Sequence, residues 1–372
     1  MPLWVADMDF TIAPSIREAL RARLEQPIGY NFVEADEILL GLLRGKLERA
    51  TGNGWAGLPS KGWVKFVSGV VPGLAAGVLG LTKPGDGVIT MTPIYPPFLG
   101  VIKDHGRELR ASPLVRRPRS DAGAEGAERW EIDWASMEAA VRGGQGTPAK
   151  LLMLCHPHNP CGRAWTFEEL TKLAEFAERH DLFVVSDELH ADLTLDDVHV
   201  PFVNAASEVL RARTLTLTGP CKTYNTAGLG IGAMIGHDAG LVARVAKANA
   251  WVLGHPTALS VAMWKAAMSD NGVWLATVLA YLRGNREFLE TFMRERLPGV
   301  IVTHVEATYP AWLDYRAHPR AADIATYLLE TAKVALNDGK MFGVGSEGFV
   351  RLNFATSRSI LTDALERMAR AR

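Results

Sequence analysis

The stretch Thr216-Leu-Thr-Gly-Pro-Cys-Lys222-Thr-Tyr-Asn-Thr-Ala-Gly-Leu229 decides how this chain is read. The β-branched run from Thr214 to Thr218 predicts a short buried strand. Gly219 and Pro220 break it, and one lysine follows on the loop. An amine just beyond a buried strand is partly stripped of water, which lowers its pKa and makes it a usable nucleophile. The alternative is a solvated surface lysine, the commonest fate of that residue type. The rest of the sequence decides between the two.

Upstream, Lys150 to Cys155 predicts a second buried strand, which runs into His156-Pro-His-Asn159-Pro-Cys-Gly162. Thr166-Phe-Glu-Glu169 has the form of a capping box and opens a helix through about His180. Leu182 to Glu188 is the next strand. Strand, helix and strand in that order form a crossover unit, so the sheet is largely parallel and covered on both faces. Asn159 and Asp187 then fall at the carboxyl ends of the strands, where open α/β sheets bind ligands. Val64 to Val67 reads as a strand, followed by the turn Ser68-Gly-Val-Val-Pro-Gly73 and a small-residue helix to about Leu81. Such a turn offers backbone N–H groups and a positive dipole end to a phosphate. No Gly-Lys-Ser/Thr follows, so it is not a P-loop. Gly87 to Met91 is a further strand, and the stiff loop Thr92-Pro-Ile-Tyr95-Pro-Pro-Phe98 holds Tyr95 at its end.

Around this centre, Ile12 to Leu24 and Ile38 to Thr51 read as helices flanking an exposed turn with Tyr30. The polar insert 116–129 is expected to be a surface loop whose basic cluster is solvated. Ala239 to Leu253 is helical in pattern, and Trp264 to Phe292 reads as one or two long helices. Strands at Val300 to Val305, Thr308 to Leu313 and Val350 to Phe354, with a helix from Leu361 to Met368, predict an α+β second domain. A length of 372 residues agrees with two domains. A net charge of −1 gives no support to nucleic-acid or anionic-membrane binding. No stretch reaches the ~18 apolar residues of a membrane span. Three cysteines, an odd count, argue for a reducing, cytoplasmic setting rather than a disulfide framework. Cys155, His156, His158 and Cys161 fit no closed tetrahedral spacing, so no metal site is expected. Gly228-Leu-Gly-Ile-Gly232 lacks the capped helix and later acid of a dinucleotide turn.

Lys222, Asp187, Asn159, Tyr95 and the turn at 69–73 form the set that a pyridoxal phosphate site needs. A lysine makes an imine and a carboxylate keeps the pyridine nitrogen protonated. A donor holds the phenolic oxygen, an aromatic ring stacks on the pyridine, and a helix N-terminus takes the phosphate. The sequence resembles the fold-type I pyridoxal-phosphate enzymes of the class I/II aminotransferase superfamily, within it the cystathionine β-lyase-like branch. The motifs carrying the resemblance are Trp4-Val-Ala-Asp-Met-Asp-Phe10, Gly69-Val-Val-Pro72, Pro93-Ile-Tyr-Pro-Pro-Phe98, Pro157-His-Asn-Pro160 with Gly162-Arg163, Ser186-Asp-Glu-Leu-His190, Cys221-Lys-Thr-Tyr-Asn225 with Ala227-Gly-Leu229, and Phe349-Val-Arg-Leu-Asn-Phe354. The first and fifth point to the lyase branch.

The resemblance implies an α/β fold: a large domain with a mostly parallel sheet over 32–255, and a smaller α+β domain from 1–31 and 256–372. It assigns Lys222 to the imine, Asp187 to the pyridine nitrogen, Asn159 to the phenolic oxygen and Tyr95 to ring stacking. Val70 and Val71 would bind the phosphate through their N–H groups, with Thr218 in the same cup, and His190 would lie near the phenolic oxygen. Tyr30 would reach the neighbouring subunit's phosphate, which implies a homodimer. Arg351 would clamp the substrate carboxylate in a bidentate fork, with the Ala6 backbone beside it. Gly219 and Gly230 depart from the pattern, which usually has Ser or Thr at the first position and often a basic residue at the second. The implied activity is C–S β-lysis of L-cystathionine or related S-substituted L-cysteines, with amino-acid transamination as the alternative.

Overall fold

The computed structural model describes residues 1–49, 55–57, 59–118, 128–143, 147–250 and 253–371. Thirteen strands are present among them. In chain order they are β1 (Val64–Val67), β2 (Gly87–Thr92), β3 (Glu108–Pro113), β4 (Val115–Pro118), β5 (Glu128–Glu131), β6 (Ala149–Cys155), β7 (Phe183–Asp187), β8 (Thr214–Thr218), β9 (Gly232–Gly236), β10 (Ile301–Val302), β11 (Pro310–Asp314), β12 (Asn337–Asp338) and β13 (Phe349–Asn353).

Seven strands form the large sheet in the order β1-β9-β8-β7-β6-β2-β3. Strands β3, β2, β6, β7 and β8 run parallel, and β9 is antiparallel to both β8 and β1. The predicted crossover is present: β6, a helix over Phe167–Arg179, then β7 paired in parallel with β6. Its capping box is complete, with Thr166 Oγ1 accepting from the Glu169 N–H and the Glu169 carboxylate accepting from the Thr166 N–H.

Both faces of the sheet are covered. On one, Leu170, Leu173 and Phe176 of the crossover helix pack with Leu152 and Val184. On the other lies the helix Val70–Leu81, whose Leu74 and Val78 join Val185, Leu217 and Met234. A stripe of glycines lets that helix approach closely. A Cβ at Gly73 would lie 2.9 Å from Leu217 Cδ2, and one at Gly77 2.8 Å from Val185 Cγ2. The helix N-terminus is thereby drawn down to the strand ends that will matter below.

A four-stranded antiparallel sheet, β10-β11-β13-β12, builds the second core with the helices Val273–Arg296 and Arg358–Arg370. The long helical stretch predicted over 264–292 is two helices, Ala258–Met268 and Val273–Arg296, parted by Gly272 at φ +78°. The first packs through Trp264 onto Phe66 and Ile235, at the edge of the large sheet, together with Ile16 of the helix Pro14–Leu24.

Two expectations change. The insert 116–129 is not loop throughout: β4 and β5 pair antiparallel at its ends, while 119–127 lie outside the described residues. Its basic cluster is not simply solvated either, since Arg116 pairs with Asp314 at 2.9 Å and lies over the buried Trp130 ring. The strand expected at Val300 to Val305 contracts to Ile301–Val302. Among the described residues no helix is long and apolar enough to cross a membrane.

Candidate active site

Sheet register sets one wall of the principal cavity. Pairing aligns Cys155 of β6 with Asp187 of β7, and Asp187 with Leu217 of β8. The loops leaving these strands therefore begin level with one another. Asn159, Asp187, His190 and Lys222 line a cavity of about 520 Å³, with Val70 and Val71 at the glycine-seated helix N-terminus and Tyr95 just after β2. Arg351 of β13 and Ala6 enter from the opposite side. The structure thus brings nine of the expected residues to one cavity. Thr218, the last residue of β8, is buried outside its lining. Tyr30 is 98% exposed and lies away from it.

Lys222 is mostly buried, and its ammonium donates to the Ala6 carbonyl at 2.7 Å. Burial lowers its pKa below the usual lysine range; Arg351 adds to the shift, and Asp7, 3.6 Å away, opposes it. The desolvated amine expected from the strand-loop context is therefore present.

Asp187 accepts the Leu189 N–H at 3.1 Å. Burial pushes its carboxyl up to about 7, against that hydrogen bond, while Glu188 raises it and Lys222 lowers it. The neighbouring Glu188 is fully engaged: it accepts from Ser186 Oγ and the Phe202 N–H and meets His199 Nε2 at 2.8 Å. His190 is pushed down to about 3 by burial and by the two cations Lys222 and Arg351, so its ring is neutral. Its Nδ1 is buried without a protein partner. His156 and His158 each direct Nε2 at a carbonyl, of Val200 at 2.8 Å and of Pro93 at 2.7 Å, so these nitrogens are already committed.

Arg351 spans the cavity. It donates to Asn159 Oδ1 at 3.1 Å, to the Trp4 carbonyl at 2.9 Å and to Asn337 Oδ1 at 2.7 Å, and its plane lies near the Phe342 ring. Burial lowers its pKa to about 10, which leaves it charged at neutral pH.

The two departures at Gly219 and Gly230 have a steric basis. A Cβ at Gly230 would lie 2.5 Å from the Ser68 carbonyl oxygen, and one at Gly219 2.9 Å from that of Ile231. The backbone itself closes around this end of the cavity and leaves no room for a side chain at either position.

Several contributors were invisible as single residues. Asn353 Nδ2 donates to the carbonyls of Val5 and Asp7, and Asn225 Nδ2 to those of Met8 and Phe10. The buried Tyr309 hydroxyl donates to the Ala6 carbonyl at 2.7 Å. Asn225 and Asn353 stand inside quoted motifs, near Lys222 and Arg351, and that proximity was the available signal. Tyr309 stands in none.

Comparison with known proteins places this geometry in a family. The family described as aminotransferase class I and II matches residues 59–368, and the chain belongs to it. Cystathionine β-lyase PatB of Bacillus subtilis is 34% identical over 377 residues, covering 100% of this chain and 92% of PatB. Cystalysin from Treponema denticola, whose crystal structure contains pyridoxal 5'-phosphate, superposes with a TM-score of 0.90 at 30% identity, covering 100% of this chain and 90% of cystalysin. The pyridoxal-phosphate-bound C–S lyase of Staphylococcus hominis gives a TM-score of 0.87 at 27% identity over 99% of this chain and 90% of its own.

Proposed function

We propose that this protein is a pyridoxal 5'-phosphate-dependent carbon–sulfur β-lyase that cleaves L-cystathionine or related S-substituted L-cysteines to a thiol, pyruvate and ammonia. The observation that carries the reading is one cavity holding a desolvated lysine, a buried strand-end carboxylate and a buried arginine. The relatives named above, two of them C–S or cystathionine lyases by name, support it.

The residues fit the cofactor. A buried carboxyl raised to about 7 is a group in want of a cation, and a pyridinium nitrogen is one. The helix N-terminus at Val70 and Val71 suits a phosphate, and neither Gly219 nor Gly230 has a side chain to compete for it. Lys222 would carry the cofactor covalently, Tyr95 would cover its ring, and Asn159 and the neutral His190 would lie beside its phenolic oxygen. Thr218 stands behind the phosphate cup. When bound, the cofactor supplies an electron sink for the substrate's α-carbon.

The protein's own residues do the rest. Arg351 binds the substrate α-carboxylate with two parallel charge-assisted hydrogen bonds, beside the Ala6 backbone. The Lys222 amine, once free, takes the α-proton; its lowered pKa keeps a larger fraction in the basic form. The apolar rim of Val5, Val71, Pro96 and Phe342 limits water around the reacting atoms.

Leu24, Ile28, Tyr30, Phe32 and Ile38 expose large apolar side chains along one stretch of chain. A second copy covering them would form a homodimer and bring Tyr30 to its partner's phosphate site. Three free, buried cysteines agree with a cytoplasmic setting. The domain division at 32–255 against 1–31 with 256–372 is part of the same reading.

The test is incubation with L-cystathionine and pyridoxal 5'-phosphate, without any 2-oxo acid. Pyruvate and free thiol in equal amounts are expected. Turnover that begins only when a 2-oxo acid is added would make the protein a transaminase instead.

A further inference from the structure

Residues 2–10 form no helix but run as a strap across the cavity. Leu3 pairs with Ala335, and the Asn353 N–H donates to the Leu3 carbonyl. Around Asp7 every neighbouring peptide is tied. The Ala6 carbonyl takes the Tyr309 hydroxyl and the Lys222 ammonium, and the Asp7 carbonyl takes Asn353 Nδ2 at 2.6 Å. The Met8 N–H donates to Asn225 Oδ1 at 2.9 Å. A carboxylate on a strap held so closely is fixed in place, and its Oδ1 lies 3.6 Å from Lys222 Nζ. The Asp7 side chain is 51% exposed and that of Lys222 only 19%, so the carboxylate is the more solvated member of the pair.

We propose that Asp7 is a positioning residue that parks the Lys222 ε-amino group at the Ala6 carbonyl, and sets its proton affinity, whenever that group is not bonded to another molecule. The inference rests on the reading of Lys222 as the reactive amine. Without a counter-charge, Lys222 would face the cation Arg351 on β13 in a desolvated site, with the carboxyl of Asp187 at the end of β7, the neutral ring of His190, the phenols of Tyr95 and Tyr309 and the thiol of Cys221 as its remaining titratable neighbours. Arg351 lowers its pKa, and Asp7 acts in the opposite direction. Asp7 thus keeps the resting lysine available as an ammonium and holds it at one position, while burial keeps it from being an ordinary, permanently charged surface lysine.

The measurement is the pH dependence of Lys222 acetylation by trace acetic anhydride in the full chain freed of cofactor, read by peptide mass spectrometry. Removing a counter-charge at this distance should lower the midpoint by roughly one pH unit in Asp7→Asn, the low end of the range because the carboxylate is half exposed. Asp7→Glu should return it toward wild type. Asp9→Asn, an exposed carboxylate on the same strap, should leave it unchanged. Salt at 1 M should move the wild-type midpoint toward that of Asp7→Asn by screening the pair. A wild-type midpoint indifferent to salt, an Asp7→Asn midpoint equal to wild type, or an equal shift in Asp9→Asn would each overturn the proposal. Borohydride reduction of the cofactor-loaded protein separates the two readings. If it fixes no label to Lys222, the lyase reading fails, whatever the acetylation midpoint does.

Discussion

The two walls of the cavity are built by different means. One comes from the ends of β6, β7 and β8, and the register of a parallel sheet sets its side chains level. The other is made from the strap, β12 with the short helical turn Gly339–Phe342 that follows it, and β13, and side chains tied to backbone carbonyls hold it together. Asp187 and His190 on the first wall are buried, whereas Trp4, Val5 and Met341 on the second are 47%, 42% and 53% exposed. A wall fixed by strand pairing can hold reacting groups to one geometry. A wall fixed by polar ties holds its backbone at those ties and leaves the exposed side chains between them free to adjust. On the proposed reading, the reacting groups stand on the sheet wall and the substrate clamp on the strap side.

The comparison breaks most completely at Lys222. Lys222→Ala should reduce turnover by roughly four orders of magnitude or more, since proton transfer by a positioned side chain alone accounts for about two to four. Borohydride applied to the wild-type protein should place the cofactor label on Lys222 in a peptide map; a label on any other lysine would move the reactive wall elsewhere.

Asp187 and Arg351 divide the walls. Arg351→Ala should lower kcat/KM by roughly two to four orders of magnitude, from two charge-assisted hydrogen bonds of about 1.5–3 kcal/mol each, with cofactor retention intact. Arg351→Lys should fall between. Asp187→Ala should instead weaken cofactor retention and cut turnover by roughly two to four orders, the cost of leaving a buried partner charge unpaired being about 3–5 kcal/mol. Equal loss of cofactor in both variants would erase the division.

A gentler break is Asn353→Ala, which removes two ties to the strap at 2.7 and 2.6 Å. At about 1 kcal/mol net for each bond, KM should rise by up to roughly thirtyfold and the melting temperature fall, while cofactor retention stays unchanged. An unaltered KM would show that the strap does not depend on Asn353.

The smallest effect sharpens the comparison from outside it. His304 bridges Asp196 at 2.7 Å and Glu290 at 3.0 Å, and these two carboxylates push its pKa up to about 9. A folded-state value above the ordinary 6.5 means that the charged imidazole stabilises the fold. That contribution is whole below about 6.5, fades as pH rises, and is gone above about 9. His304→Gln should therefore lower the melting temperature by a few degrees near pH 6 and match wild type near pH 10, roughly as a ΔΔG of 1–2 kcal/mol would. Turnover should be unaffected, because His304 touches neither wall.

The sheet wall was legible because its residues follow apolar, β-branched runs, and such runs announce strands wherever they end. Lys222, Asp187 and Asn159 could be placed at strand ends before any coordinates. The edge strand β3, Glu108-Leu-Arg-Ala-Ser-Pro113, carries too many polar residues to declare itself, and glycines bound β9 at both ends. Charged side chains likewise hid the pairing of β4 with β5, which depends on Trp130 and Arg116 finding Phe349 and Asp314 far along the chain. The strap wall was legible only as a motif. What Asn225, Asn353 and Tyr309 do is bind carbonyl oxygens, and every residue has one of those, so their targets leave no mark in the sequence.

These ties also have a consequence for the order of assembly. The Met8 N–H and Asn225 are 217 residues apart, Arg351 and the Trp4 carbonyl 347, and Asn353 and the Val5 carbonyl 348. During synthesis the strap leaves the ribosome well before its last tether, β13. The large sheet can pair β1 through β9, and Asn225 can meet the strap, before the ties from β13 exist. Contacts of such long sequence separation form late, because the chain between them must be ordered first. The strap side of the cavity is therefore completed only once β13 has been made, after every strand of the large sheet.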